Sequence, residues 1–177
     1  MIPGVEILDR RPQADNRGTF GRMFPLERLE GSGWSGALHQ VNLSTSPEPG
    51  TLRGLHYQLS STPEFKLVTC TSGEIWDVVV DLRRGSPTFL KWEGHSLSES
   101  NLKSLLIPPG CAHGFQTVRG GVEMIYCHSA PYEQDACHGI NPFDPLLQIN
   151  WPVEISRISP EDKDRAHLDT AFEGLSL

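Results

Sequence analysis

Short apolar runs, each soon cut off by glycine or proline, succeed one another along most of this chain. The stretches 74–82, 89–92, 103–107, 113–118 and 122–127 keep that cadence, which argues for antiparallel β structure. Within the first of these runs Trp76, Val78, Val80 and Leu82 share one face, whereas the other face mixes Ile75 and Val79 with Asp77 and Asp81. A wall whose second side carries polar groups accounts for that alternation. Helical periodicity is weak and confined to Leu26–Leu29 and to the span from Ser159 to Phe172, where Ser159 is placed to cap a turn containing Glu161 and Asp162. With 177 residues and neither a repeat nor a linker, the chain is expected to form one domain over residues 1–177, large enough for a real core. The economical architecture is an all-β jelly-roll barrel with a few short helices.

Fifteen Lys and Arg against twenty-two Asp and Glu give a formal charge of −7, which disfavours nonspecific binding to nucleic acid or an anionic membrane. An anionic ligand must therefore find a local basic pocket. No run approaches the roughly 20 apolar residues of a membrane span, and the start Met-Ile-Pro-Gly-Val-Glu lacks the regions of a signal peptide. A cytoplasmic protein is expected. Cys70, Cys111, Cys127 and Cys137 have no C-x-x-C spacing, so they read as reduced, buried thiols rather than a zinc site or a redox pair.

Three basic side chains resist a core reading. Arg53 and His56 lie in Leu52-Arg-Gly-Leu-His-Tyr-Gln58, and Lys66 lies in Glu64-Phe-Lys-Leu-Val-Thr-Cys70. These types are rarely buried unless paired or useful, and on a rigid sheet they read as a site. Ile107-Pro-Pro-Gly-Cys-Ala-His-Gly-Phe115 resembles the second half of the cupin signature. The first half departs from it, because the strand that should carry His-x-His reads His56-Tyr57-Gln58. One imidazole cannot build the usual three-ligand site, so a cupin-type double-stranded β-helix without a metal or other cofactor is expected.

Asp15-Asn-Arg-Gly-Thr-Phe20, Gln40-Val-Asn-Leu-Ser44, Leu52-Arg-Gly-Leu-His-Tyr-Gln58, Asp77-Val-Val-Val-Asp-Leu-Arg83, Gly85-Ser-Pro-Thr-Phe89, Ala112-His-Gly-Phe115, Asp144-Pro145 and Ile149-Asn-Trp-Pro152 resemble, in order and spacing, the dTDP-4-dehydrorhamnose 3,5-epimerase family. The resemblance spans nearly the whole chain. It implies a metal-independent, generally homodimeric cupin enzyme that inverts C3, C5 or both in a nucleotide-linked 4-keto-6-deoxy sugar. The ketone at C4 makes such chemistry accessible: removal of a neighbouring proton leaves a carbanion whose charge spreads onto the ketone oxygen. Inversion then needs a base on one face, a cation or donor at the enolate oxygen, and an acid on the opposite face.

His56 suits the base, since imidazole accepts and releases protons near neutral pH, and Lys66 suits the enolate oxygen. The resemblance assigns Asp162 as the orienting partner of His56, with Asp164 as a nearby rival, and Tyr126 as the general acid. It also places Tyr132 as a second tyrosine that influences which carbon inverts, and His113 as a pocket residue touching sugar or phosphate. Arg17 and Arg53 are suited to diphosphate, Phe20 to stacking on the base, and Gln40 and Asn42 to directional hydrogen bonds. The chain departs from the family at Phe20-Gly-Arg22, where glutamate is usual. Arginine there can meet the N3 acceptor of cytosine, so the substrate is expected to carry dTDP or CDP. Tyr132-Glu-Gln-Asp-Ala-Cys-His-Gly139 and Gly139-Ile-Asn-Pro-Phe-Asp144 also depart, the latter toward single-carbon deoxysugar epimerases. A 3,4-ketoisomerase and a non-catalytic sugar-nucleotide binder are the alternatives.

Overall fold

The computed structural model describes residues 1–34, 37–59 and 64–177. In chain order the elements are β1 (Glu6–Asp9), β2 (Gln13–Asp15), β3 (Gly18–Phe20), α1 (Leu26–Gly31), β4 (Gln40–Ser46), β5 (Thr51–Gln58), β6 (Lys66–Asp81), β7 (Trp92–Ser98), β8 (Lys103–Ile107), β9 (Cys111–His128), β10 (Cys137–Gly139), β11 (Arg157–Ile158) and α2 (Pro160–Lys163). The long strands β6 and β9 run antiparallel and carry the rest. The first half of β6 and the last half of β9 support β8 and β4, with β1 outside β8; the other halves support β7 and β5, with β10 and β11 on β5. Between the halves the register of β6 against β9 slips repeatedly from Cys70 to Ile75. Gly73 sits in this bend at φ +74, and a Cβ there would lie 2.8 Å from Val122 Cγ2. Bulges of this kind increase local twist and bend, and they fold the two half-sheets over one another as the cupin-type jelly roll expected from sequence.

Four of the five apolar runs form strands where the cadence places them, but they join; the run 89–92 instead closes a turn with Leu90 at φ +58, and β7 begins only at Trp92. Residues 66–70 and 74–81 are one strand, as are 113–118 and 122–127, because the bulges absorb the bend without ending the ladder. Both faces of the Ile75–Leu82 stretch are buried: Ile75 and Val79 pack with Phe115, Leu105 and Met124, while Val78, Val80 and Leu82 pack with Leu55, Ile140 and Leu147. Each fully buried Leu, Ile or Val is worth about 1.5–3 kcal/mol. Asp77 and Asp81 therefore sit inside the wall, wholly buried. Burial pushes the Asp81 carboxyl up, but hydrogen bonds from Arg83, Ser86 and Thr88 outweigh it and hold the group at about 2.

Cys70, Cys111 and Cys127 are buried free thiols as expected, the first two pushed up by burial to about 11 and about 12. Cys137 departs from that expectation. It is exposed, because the short strand β10 lies on the outer margin of the sheet against β5 alone. No helix among the described residues is long and apolar enough to cross a membrane.

Candidate active site

A single cavity of about 1230 Å³ opens between the two half-sheets, and it gathers most of the residues singled out from sequence. His56, His113 and Arg53 come from β5 and the first half of β9; Lys66, Tyr126, Gln40 and Asn42 come from β6, the last half of β9 and β4. Tyr132 and Asp162 complete the lining. Edge-on packing of His113 against Tyr126, with ring centroids 6.2 Å apart, marks where the opposite walls approach.

Gly54 shapes the His56 wall. It has φ +122, and a Cβ on it would stand 2.6 Å from Gly114 Cα and 2.9 Å from the His113 carbonyl. Only glycine allows that approach, and the register shift it creates between Arg53 and His56 sets the histidine opposite His113. The carboxylate then arrives from the far end of the chain. Parallel pairing of β11 with Thr51 and Leu52 delivers α2 to β5. Ser159 caps this helix as expected, its Oγ accepting from the Asp162 N–H at 3.0 Å, and Pro160 occupies the first turn. Asp162 Oδ1 lies 2.6 Å from His56 Nε2, and Oδ2 accepts from the Gly54 N–H at 3.2 Å. Burial pushes the Asp162 carboxyl up, but His56 and Gly54 outweigh it and leave it at about 2. The ionised carboxylate keeps the imidazole proton on Nε2, so Nδ1 carries the free lone pair. Asp164, the rival, ends the helix as its C-cap, and the carboxylate paired with His56 is that of Asp162.

Sequence reasoning missed several neighbours. Arg165 Nε reaches Asp162 Oδ1 at 3.4 Å, and its guanidinium occupies the space that a Cβ on Gly139 would need. Asn141 donates to the Lys163 and Arg165 carbonyls at 2.9 and 3.0 Å, tying down the segment after Asp162. Asp77 holds His113 Nε2 at 2.8 Å. On the opposite wall Glu64 is shared: Oε2 lies 3.2 Å from Lys66 Nζ and Oε1 lies 2.8 Å from His128 Nδ1. Lone polar residues inside apolar strands gave no signal beyond ordinary alternation. Only the carboxylate two residues before Lys66 hinted at a partner.

Tyr126 faces the cavity with its phenol pushed well above the usual value, first by burial and then by the Asp77 charge, which Arg53 opposes. It stays protonated and can donate. Arg53 is steadied by the Ser46 hydroxyl at 3.2 Å and the Thr45 carbonyl at 3.1 Å, and Gln40 accepts from the Tyr132 N–H at 3.0 Å. Arg17, Phe20 and Arg22 lie outside this cavity. The β2–β3 ribbon pairs only with itself and is exposed along its length, leaving Phe20 84% exposed. Arg17 binds Asp15 at 2.6 Å and Arg22 approaches Glu27 at 3.5 Å.

The fold is a cupin-type jelly roll with a cavity lined by imidazoles, a phenol and an ammonium, and similarity to known proteins makes the chain's family one of isomerases. Residues 1–170 match the family model described as dTDP-4-dehydrorhamnose 3,5-epimerase, and the chain belongs to that family. A dTDP-4-dehydrorhamnose 3,5-epimerase of Sinorhizobium fredii is 40% identical over 85% of this chain and 77% of its own length. A dTDP-4-dehydrorhamnose 3-epimerase of Streptomyces niveus is 37% identical, covering 92% of this chain and 79% of its own. Among solved structures, the 4-keto-6-deoxy sugar epimerase NovW of Streptomyces spheroides superposes with a TM-score of 0.87 at 36% identity, over 94% of this chain and 83% of that one. The Legionella pneumophila enzyme RmlC in complex with dTDP-4-keto-L-rhamnose gives 0.86 at 36% identity, over 93% and 87%.

Proposed function

We propose that this chain, acting as one domain, inverts C3, C5 or both in a dTDP-linked 4-keto-6-deoxyhexose. The observation that carries the reading is the convergence of the His56–Asp162 pair, the Tyr126 phenol and the Lys66 ammonium on one cavity. His56 Nδ1 removes a proton beside the ketone, Lys66 holds the enolate oxygen, and Tyr126 returns a proton on the opposite face. Arg53 and His113 take the diphosphate and sugar. The named ligands of the relatives support dTDP over CDP, and calorimetry with the two nucleotides tests that choice.

The working unit is a homodimer. Two observations support it: Val41 and Leu43 are 56% and 65% exposed on β4, an edge strand bonded only to β9, and the ribbon bearing Arg17, Phe20 and Arg22 stands clear of its own cavity. A second copy would cover the edge and bring that ribbon to a nucleotide in the neighbour's cavity. The test of the catalytic assignment is His56→Ala. It is expected to abolish deuterium uptake from solvent while nucleotide affinity changes little, and uptake above about a tenth of the normal rate removes His56 as the base.

A further inference from the structure

Beyond His56 and His113, the cavity is also lined by His128, an imidazole that the mechanism above leaves idle. His128 follows Tyr126 by two residues on β9, so strand alternation puts both side chains on one face, and their rings stack at 6.3 Å with 22° between planes. Its ladder partners are Lys66 on one side and Gln40 on the other. The construction repeats that of His56 on the opposite half-sheet. Nδ1 is held at 2.8 Å by Glu64, a carboxylate 7% exposed. Burial pushes that carboxyl up, but His128 and Lys66 outweigh it and keep it below the usual carboxylate range. An ionised Glu64 keeps a proton on Nδ1 and leaves Nε2 as the site of exchange. Asn42 Nδ2 stands 3.4 Å from Nε2, and turning the amide lets Asn42 face either the bare or the protonated nitrogen.

Resting on the epimerase reading, we infer that His128, oriented by Glu64, is a second acid beside Tyr126 that delivers a proton to the enolate on the face opposite His56. The need for it is chemical. A desolvated phenol next to the buried Asp77 charge gives up its proton reluctantly, whereas an imidazolium is by nature the stronger acid. In the step itself the Nε2–H bond breaks and the proton joins the carbon. The electron pair of the enolate double bond forms the new C–H bond, the C4 ketone is restored, and the imidazolium becomes neutral imidazole. His56 returns the proton it gained to water, and water reprotonates His128, so each turnover is proton-neutral.

The test is NMR of dTDP-4-keto-6-deoxyglucose in deuterated water with the full chain, reading label uptake with retained configuration separately from inverted product. His128→Gln is expected to cut inversion about tenfold while uptake stays within about threefold. Glu64→Gln, which keeps the imidazole but removes the charge of its anchor, should lose inversion in the same sense by about threefold. Tyr126→Phe should retain a few per cent of inversion that disappears in the Tyr126→Phe, His128→Gln double variant, with uptake surviving in both. Inversion by His128→Gln within about twofold of the parent overturns the inference, as does an equal fall of uptake and inversion, which marks a structural role. Parent protein that takes up no label overturns the epimerase reading along with it.

Discussion

Replacing Asp162 by asparagine removes the charge behind His56 and changes little else in volume. The Asp162 carboxyl lies at about 2 against an ordinary 3.8, and at about 1.36 kcal/mol per unit this is about 2 kcal/mol of net preference for the ionised form. Much of that preference comes from His56, so the imidazolium formed during proton abstraction loses stabilisation of the same order, about 30-fold in rate. Orientation adds to the loss. The asparagine amide can donate to Nε2, which shifts the imidazole proton onto Nδ1, the atom that has to accept from carbon. Together these put the expected fall in kcat at about 10²–10⁴-fold, with KM within about threefold because the nucleotide contacts are untouched. The assay is the initial rate of deuterium uptake from solvent, with circular dichroism to confirm folding. A well-folded Asp162→Asn protein that loses less than about tenfold would refute the dyad.

Two expectations concern the scaffold. Gly54→Ala forces a Cβ to within 2.6 Å of Gly114 Cα at a positive φ and is expected to cost about 3 kcal/mol or more in urea unfolding; a cost below about 1 kcal/mol would mean that β5 and β9 can separate there without penalty. Asp81 and Asp162 are both held at about 2, so their folded values lie below the unfolded ones. Each contributes about 2 kcal/mol that is present above pH 4 and lost as pH falls through 2. Urea stability measured from pH 5 to pH 2 should drop steeply, and Asp81→Asn should flatten that drop.

The strands were legible because period-two apolar runs survive wherever a residue faces a core. Their joining was not, since the glycines at 120 and 121 that read as a break lie inside a strand whose bulges keep the ladder running. His56 and Lys66 stood out through motif and residue type, Tyr126 and Asp162 only through the family resemblance, and all four line the cavity. The contact between His56 and Asp162 spans 106 residues and followed only from the family resemblance; the chain path through β11 and a Ser159 cap is what realises it. Glu64, His128 and Arg165 escaped notice for one reason: each is a single polar side chain whose meaning lies in a partner on another strand or turn. The exposure of Arg17, Phe20 and Arg22 was equally hidden, because a short polar hairpin that pairs only with itself looks the same in sequence whether it lines a cavity or stands in solvent.

The most direct test incubates the protein with dTDP-4-keto-6-deoxyglucose in deuterated water and follows the sugar by NMR. Deuterium is expected at C3, C5 or both, with inverted configuration and the ketone still at C4. A ketone that migrates to C3, or a sugar recovered without label, would contradict proton transfer by His56 and its partners as the business of this cavity.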